Sequence, residues 1–338
     1  MSTSYRWSTL TTADTAAWAE LVNHLAVVDG TEEFYSAEDL AEELEDPHLD
    51  PVQDTVAIWA DSESGTEELV AFGVARLRQS LDHEGNAGVP LEGGVHVEHR
   101  GRGIGTQLMQ KLEARGAQKV ADRYPGVQYY FATGGGLEES SARTFHLARG
   151  YQVARYFNLM SRPLSWNQTH SPDSAAAITG GRQLPEGVTV RAPEESDEKA
   201  VFEAHAAAFV DHWGSAPPSP SVWHETWTSR SNRAAVSRIA VDASGAVLAY
   251  ALCGQWVDRE LYVNLVGTVP AARGNGLGSA VLAHTIEAAA SSGDYDVIEL
   301  DVDSESLTGA TRLYERLGFA VKHTSAAMRR YQQPADKH

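Results

Sequence analysis

Two glycine-rich runs, Arg100-Gly101-Arg102-Gly103-Ile104-Gly105 and Arg273-Gly274-Asn275-Gly276-Leu277-Gly278, have the residue types and spacing to do chemistry. Glycine lacks a Cβ, so its backbone can approach a ligand closely. The amides at a helix start, at the positive end of its dipole, suit a phosphate. The chemistry is that of a pyrophosphate cradle. A dinucleotide fingerprint needs G-x-G-x-x-G and a later acid, and a nucleotide P-loop needs G-K-[ST]; neither pattern is present. A tight strand-to-helix turn would use the same glycines, but the run occurs twice with one downstream signature, which weighs against that reading.

A second constellation lies at Glu299, Asp301 and Asp303, which alternate with Ile298, Leu300 and Val302. The two-residue strand period puts the three acids on one face. They are candidate general bases; the bland alternative is a solvated strand face with Asp303 as a helix cap. Asp211-His212-Trp213 follows an apolar helical stretch and either lines an acceptor pocket or turns around a packed tryptophan.

Strands and helices must hold these groups. In the C-terminal half, SRIAV and AVLAYALC flank the turn cluster DASG and read as an antiparallel hairpin, with a third strand at LYVNLVGTV. The glycine run follows, then SAVLAHTIEAAA, whose alanine content favours helix, with Gly293 near its end. A strand VIELDV, a helix GATRLYERL stopped by Gly318 and a last strand near SAAMRRY complete the order.

The pattern is duplicated. Ala142, Gly150, Tyr151, Val153, Met160 and Arg162 fall on Ala310, Gly318, Phe319, Val321, Met328 and Arg330 at one shift (310 − 142 = 168). Arg100 falls on Arg273 at another (273 − 100 = 173), so the first copy carries five extra residues, placed at the Gly134-Gly135-Gly136 loop. Such a period is too long for a solenoid and means a duplicated domain. The Ser-, Ala-, Gly- and Pro-rich stretch 167–185 reads as a linker between domains at 1–166 and 186–338.

At 338 residues the chain exceeds one ordinary core, and 42% hydrophobic content supplies a core for each half. The formal charge of −19 and the lack of a long basic stripe disfavour nucleic acid; the acidity maintains solubility and would steer a cationic amine. Cys253 is the only cysteine, which rules out an intramolecular disulfide and a cysteine-based zinc cluster. The first residues, MSTSYRWSTLTTADTAAW, hold no apolar run of signal-peptide length, and no later stretch approaches the roughly 18 residues of a membrane span. A cytoplasmic protein without a membrane partner is expected.

VPAARGNGLGSA followed by TGATRLYERLGF resembles the GNAT superfamily of acetyl-CoA-dependent N-acetyltransferases, and the duplicated signature covers most of the chain. The tandem arrangement resembles that of the mycothiol synthase group. The resemblance implies an α+β fold, a mixed α/β sandwich: two tandem domains, each a mostly antiparallel sheet with a parallel splayed pair and flanking helices. It implies acetyl-CoA as cosubstrate and no metal. Backbone groups of Val266, Gly267 and Thr268 would pair with the pantetheine arm, while Arg273, Gly274, Asn275, Gly276, Leu277, Gly278 and Ser279 wrap the pyrophosphate. Arg100, Gly101, Arg102, Gly103, Ile104, Gly105 and Thr106 repeat that set. Ser306 stands where relatives often have an asparagine near the cofactor.

By the same resemblance Tyr314 matches the tyrosine that faces the departing thiolate, with a packed core aromatic as the alternative. Glu260 lies on the strand where relatives can carry the base, although in the mycothiol synthase group the acid stands nearer the loop. His146 replaces Tyr314 in the first copy, so that copy is expected to be catalytically degenerate. The expected activity is direct acetyl transfer to a primary amine, of a small molecule before a protein lysine or N-terminal amine. The contrasting class is an acyl-CoA-binding sensor or scaffold. Monomer and homodimer are both compatible, because the duplication can stand in for a dimer.

Overall fold

The computed structural model describes residues 4–61, 67–165, 173–181, 183–210, 218–305 and 309–334. Two compact units emerge, one made of 1–155 with 325–338 and one of 156–324. These differ from the contiguous halves expected at 1–166 and 186–338, because each unit takes its closing strand from the other half of the sequence.

The first half runs β1 (Tyr5–Ser8), α1 (Thr15–Asp29), α2 (Ala37–Leu44), α3 (Pro51–Asp54), β2 (Thr55–Asp61), β3 (Glu67–Ala75), β4 (Ala87–Val95), α4 (Ile104–Arg123), β5 (Tyr129–Gly134), α5 (Ser141–Ala148) and β6 (Gln152–Pro163). The second runs α6 (Ala175–Ile178), β7 (Thr189–Arg191), α7 (Glu198–Ala208), α8 (Pro220–Thr228), β8 (Arg238–Val241), β9 (Val247–Gly254), β10 (Glu260–Thr268), α9 (Leu277–Ser292), β11 (Val297–Asp303), α10 (Ala310–Arg316) and β12 (Ala320–Gln332).

In the first unit β1, β2, β3 and β4 form an antiparallel run, β4 pairs β5 in parallel, and β12 closes antiparallel on β5. In the second, β7 through β10 are antiparallel, β10 pairs β11 in parallel, and β6 closes antiparallel on β11. Each unit thus has the mostly antiparallel sheet with one parallel pair that the resemblance implied. The exchange is written into the cores: Met328 of β12 lies among Val89, Leu108 and Phe131, and Met160 of β6 among Leu282, Ile298 and Leu300. These are the two methionines that the repeat superimposes.

The five extra residues do not sit at Gly134–Gly136. Ala87 opposite Tyr129 in β4–β5 corresponds to Glu260 opposite Val297 in β10–β11, so the shift has already changed from 173 to 168 before β5 begins. The surplus lies in the longer helix, 20 residues in α4 against 16 in α9, and in the loop after it. A helix can lengthen at its free end without disturbing the sheet, whereas a site loop cannot.

The stretch expected to be a linker is packed where it is described. Asp173 is 2% exposed, and Ile178 of α6 packs against the core beneath α9.

Candidate active site

In the second unit, β10 carries an irregularity between Val263 and Leu265 in its pairing with β9, which leaves Asn264 as the extra residue of a bulge. Its parallel ladder with β11 covers only Glu260, Leu261 and Tyr262. Past the bulge, Val266, Gly267 and Thr268 pair with Ala251, Tyr250 and Ala249 on one side, and the ladder to β11 on the other has ended. The backbone on that edge is therefore open to an extended polar ligand, and β10 leads from there straight into the glycine loop before α9.

Gly274 and Gly276 hold φ of 80° and 79°, the left-handed region that a Cβ disfavours, and Gly276 is the N-cap of α9. Gly101 and Gly103 repeat this at 74° and 81° before α4. A Cβ built on Gly274 meets nothing within 4 Å, so its surroundings are open space; one on Gly278 falls 3.1 Å from Thr268 Oγ1. The loop exposes helix-start amides and leaves room in front of them, which fits a pyrophosphate.

Beneath this edge lies a buried pair that sequence inspection missed. A Cβ on Gly267 would sit 2.3 Å from the Tyr250 hydroxyl, and that hydroxyl is held 2.7 Å from His205 Nδ1, whose ring stacks on Trp223. Tyr250 thus props up the strand edge from below and fixes residue 267 as glycine. Burial raises the Tyr250 pKa, keeping the phenol neutral.

Tyr314 sits in α10, 8% exposed, its ring edge-on to Phe319 at 6.1 Å between centroids. Its hydroxyl makes no hydrogen bond among the described residues. Burial pushes its pKa up to about 12, so the hydroxyl carries its proton throughout the neutral range and is available to donate it.

The three alternating acids do share a face, opposite Ile298, Leu300 and Val302 in the core, but their surroundings separate them. Glu299 is 7% exposed and takes a bond from Lys322 Nζ at 3.1 Å; Asp303 accepts from the Glu305 amide at 2.9 Å. Asp301 is exposed and held by the Tyr262 hydroxyl at 2.6 Å, with Trp256 edge-on to Tyr262. Glu260 lies half-buried at the opposite end of β10 from Thr268, about 25 Å away at the usual strand rise. The structure does not bring it to the loop. Between α8 and β9–β10 a cavity of about 30 Å³, lined by Trp223, Trp227, Leu252, Leu265 and Asn264, contains Asn264 Oδ1, which has no partner among the described residues; it has room for water, not for an acceptor. Ser306 and Asp211-His212-Trp213 lie outside the described residues. Among those described, no group of three or more His, Cys, Asp or Glu is arranged to hold a metal ion, and no helix is long and apolar enough to cross a membrane.

The first unit keeps the loop but spends its charge differently. Arg100 forms a two-bond ion pair with Asp29, at 2.6 and 2.8 Å, and also bonds the Val95 carbonyl and Ser141 hydroxyl. Its counterpart Arg273 donates to the Ala208 and Thr268 carbonyl oxygens and has no carboxylate partner among the described residues. His146 replaces Tyr314 and is likewise 8% exposed, with Nε2 3.4 Å from Thr133 Oγ1 and Nδ1 buried without a partner among the described residues. Burial, helped by the nearby Arg149 charge, lowers its pKa to about 4, with Glu113 opposing.

A stability effect follows. Between the ordinary histidine pKa of about 6.5 and about 4, the unfolded chain binds a proton that native His146 refuses, so stability falls as pH falls through that window. At pH 5 the loss is about 2 kcal/mol, and His146→Phe should remove it. Thermal melts of parent and variant at pH 7.5 and 5 check this: the parent should lose several degrees more than the variant.

The sequence matches the Acetyltransferase (GNAT) family at 18–130 and again at 199–319, one match in each glycine-loop copy. It is 32% identical over 293 residues to the mycothiol acetyltransferase of Salinispora arenicola (strain CNS-205), covering 82% of this chain and 81% of that protein. It is 31% identical over 250 residues to the mycothiol acetyltransferase of Salinispora tropica, covering 69% and 70%. Among solved structures, a GCN5-related N-acetyltransferase from Sphaerobacter thermophilus superposes with a TM-score of 0.73 at 26% identity, covering 99% and 98% of the two chains. The repeated strand–loop–helix cradle, the splayed strand pair and both family matches agree: the chain belongs to the GNAT family of acetyltransferases, with two tandem GNAT domains.

Proposed function

We propose that the second unit transfers the acetyl group of acetyl-CoA directly to a primary amine of a small molecule, while the first unit binds or supports without turnover. The observation that carries this reading is the pairing, in one unit, of an open strand edge and glycine loop with a buried, protonated Tyr314. In this reading Val266, Gly267 and Thr268 receive the pantetheine, Arg273 through Ser279 hold the pyrophosphate, and Tyr314 donates a proton to the departing thiolate. The amine attacks the thioester carbonyl, the carbon–sulfur bond breaks, and no enzyme nucleophile is required. Asp301, exposed and oriented by Tyr262, takes the proton lost by the ammonium, directly or through water. The relatives' name is the reason to test mycothiol-related amines first, ahead of other small amines and peptide amines.

Thiol release tests the proposal: acetyl-CoA incubated with an amine panel should yield coenzyme A and a product heavier by one acetyl group. No release above the protein-free rate with any amine of the panel would favour an acyl-CoA-binding role. Asp301→Asn should lower kcat by about 10² at neutral pH, the modest end for a general base, while Glu260→Gln leaves it near the parental value. The reverse pattern would return the base to Glu260.

A further inference from the structure

Arg162 stands at the end of β6 and is 9% exposed. Its Nε donates to the Leu317 carbonyl at 2.8 Å, and its Nη2 to Asp173 Oδ1 at 2.5 Å; Asp173 Oδ2 in turn accepts from the Ser165 amide at 2.7 Å. Leu317 ends α10. The turn beyond it is Gly318 at φ 88°, where a Cβ would lie 3.0 Å from Arg162 Nε, so the arginine side chain is packed closely against the helix terminus. One helical turn back is Tyr314, whose carbonyl accepts from the Phe319 amide in the same closing turn. A cation placed on the last carbonyls of a helix satisfies acceptors that the helix itself cannot, and opposes its negative dipole end.

The repeat supplies an internal comparison. Arg330, the counterpart of Arg162 on β12, donates from Nη1 to the carbonyl of Arg149 at 3.0 Å, and Arg149 is the counterpart of Leu317. Each exchanged strand therefore ends in an arginine that fixes the C-terminus of a helix, α5 with His146 in one unit and α10 with Tyr314 in the other. The buried carboxylate partner differs: Asp173 for Arg162, and Glu113, at 2.9 Å, for Arg330.

We infer that Arg162, contributed by the first half of the sequence and braced by Asp173, is a positioning residue for Tyr314, holding its helix at the depth and rotation that aim the hydroxyl at the thiolate. This rests on Tyr314 being the acid. Since α10 has only seven residues, its end is the nearest fixed point to that side chain.

Three full-length variants test this: Arg162→Lys, Arg162→Gln with Asp173→Asn so that no carboxylate is left buried alone, and Arg330→Gln as the matched control. Folding is checked by circular dichroism, and the acetyl-CoA KM and kcat are measured separately. The expected result is a fall in kcat of about 10² for the Arg162/Asp173 pair, the scale of a misplacement near 1 Å, with the acetyl-CoA KM little changed. Arg162→Lys should recover much of that loss, and Arg330→Gln should keep parental kcat even where its melting temperature falls. Combining the Arg162/Asp173 pair with Tyr314→Phe should cost no more than Tyr314→Phe alone, because one effect acts through the other. If the pair fails to fold, Arg162→Lys, measured alone and with Tyr314→Phe, carries the same comparison. Parental kcat in the folded Arg162 variants, or a loss that adds in full to that of Tyr314→Phe, overturns the inference while leaving the acid assignment intact. Parental turnover of Tyr314→Phe overturns both.

Discussion

Tyr314→Phe should lower kcat by about 10² to 10⁴ with little change in acetyl-CoA affinity, the range associated with loss of a general acid. The substitution removes only a hydroxyl without a hydrogen-bond partner among the described residues, and the ring keeps its packing against Phe319 and the core. Folding should survive. His146→Phe should leave turnover unchanged, since a histidine whose pKa has fallen to about 4 is neutral at pH 7 and its unit's loop arginine is already paired with Asp29. Single-turnover acetyl transfer, with binding measured independently, separates lost chemistry from lost affinity. Equal rates for parent and Tyr314→Phe would remove the acid, and a large loss in His146→Phe alone would move catalysis to the first unit.

Gly276→Trp should abolish tight acetyl-CoA binding at the second unit. The residue caps α9 in the left-handed region, and a side chain there stands before the amides that would face the pyrophosphate. Losing two charge-assisted bonds corresponds to an affinity drop of about 10³-fold. Backbone strain accompanies the bulk, at about 1–2 kcal/mol for a non-glycine residue, so Gly276→Ala serves as the control that carries strain with little obstruction. Isothermal titration of the parent, Gly276→Trp, Gly276→Ala and Gly103→Trp assigns any two binding events to their loops. Unchanged affinity in Gly276→Trp, with any first-loop event silenced by Gly103→Trp, would show that the cradle is elsewhere.

Much of this architecture is legible in the residues because local rules suffice for it. The hairpin around DASG, the alanine-rich α9 ending at Gly293 and the α10 stop at Gly318 follow from turn chemistry, propensity and left-handed caps, and each appears where the sequence puts it. The alternation at Glu299, Asp301 and Asp303 gave the shared face, but not that Lys322 and the Glu305 amide would occupy two of the three. Lys322 comes from β12, 23 residues along the chain, whereas the Glu305 amide is a local turn partner two residues from Asp303 that strand alternation does not show. The His205–Tyr250 prop was equally hidden, because a histidine in one helix and a tyrosine in a strand 45 residues later carry no joint signature. The exchange of closing strands had one faint trace, the register of Arg162 with Arg330 and Met160 with Met328. A repeat reports that two segments play the same part, not which copy each completes. The placement of the extra residues failed for a related reason: a glycine triplet marks a flexible place, yet the added length went into a helix end, where nothing has to stay in register.

The exchanged strands also set a timetable for biosynthesis. The first unit lacks β12, with Ala326 and Met328 of its core, until 169 further residues (156 through 324) have been synthesised. At about 5–20 residues per second that is roughly 10–30 s during which β5 presents an unpaired edge and an unfilled core. The second unit, by contrast, already has β6 in hand before β11 appears, and can close as soon as β11 and α10 leave the ribosome. The usual order, in which the N-terminal domain finishes first, is thereby reversed: the half translated last is the first able to complete its own sheet, and the nascent first half is the one that needs protection from aggregation in the interval.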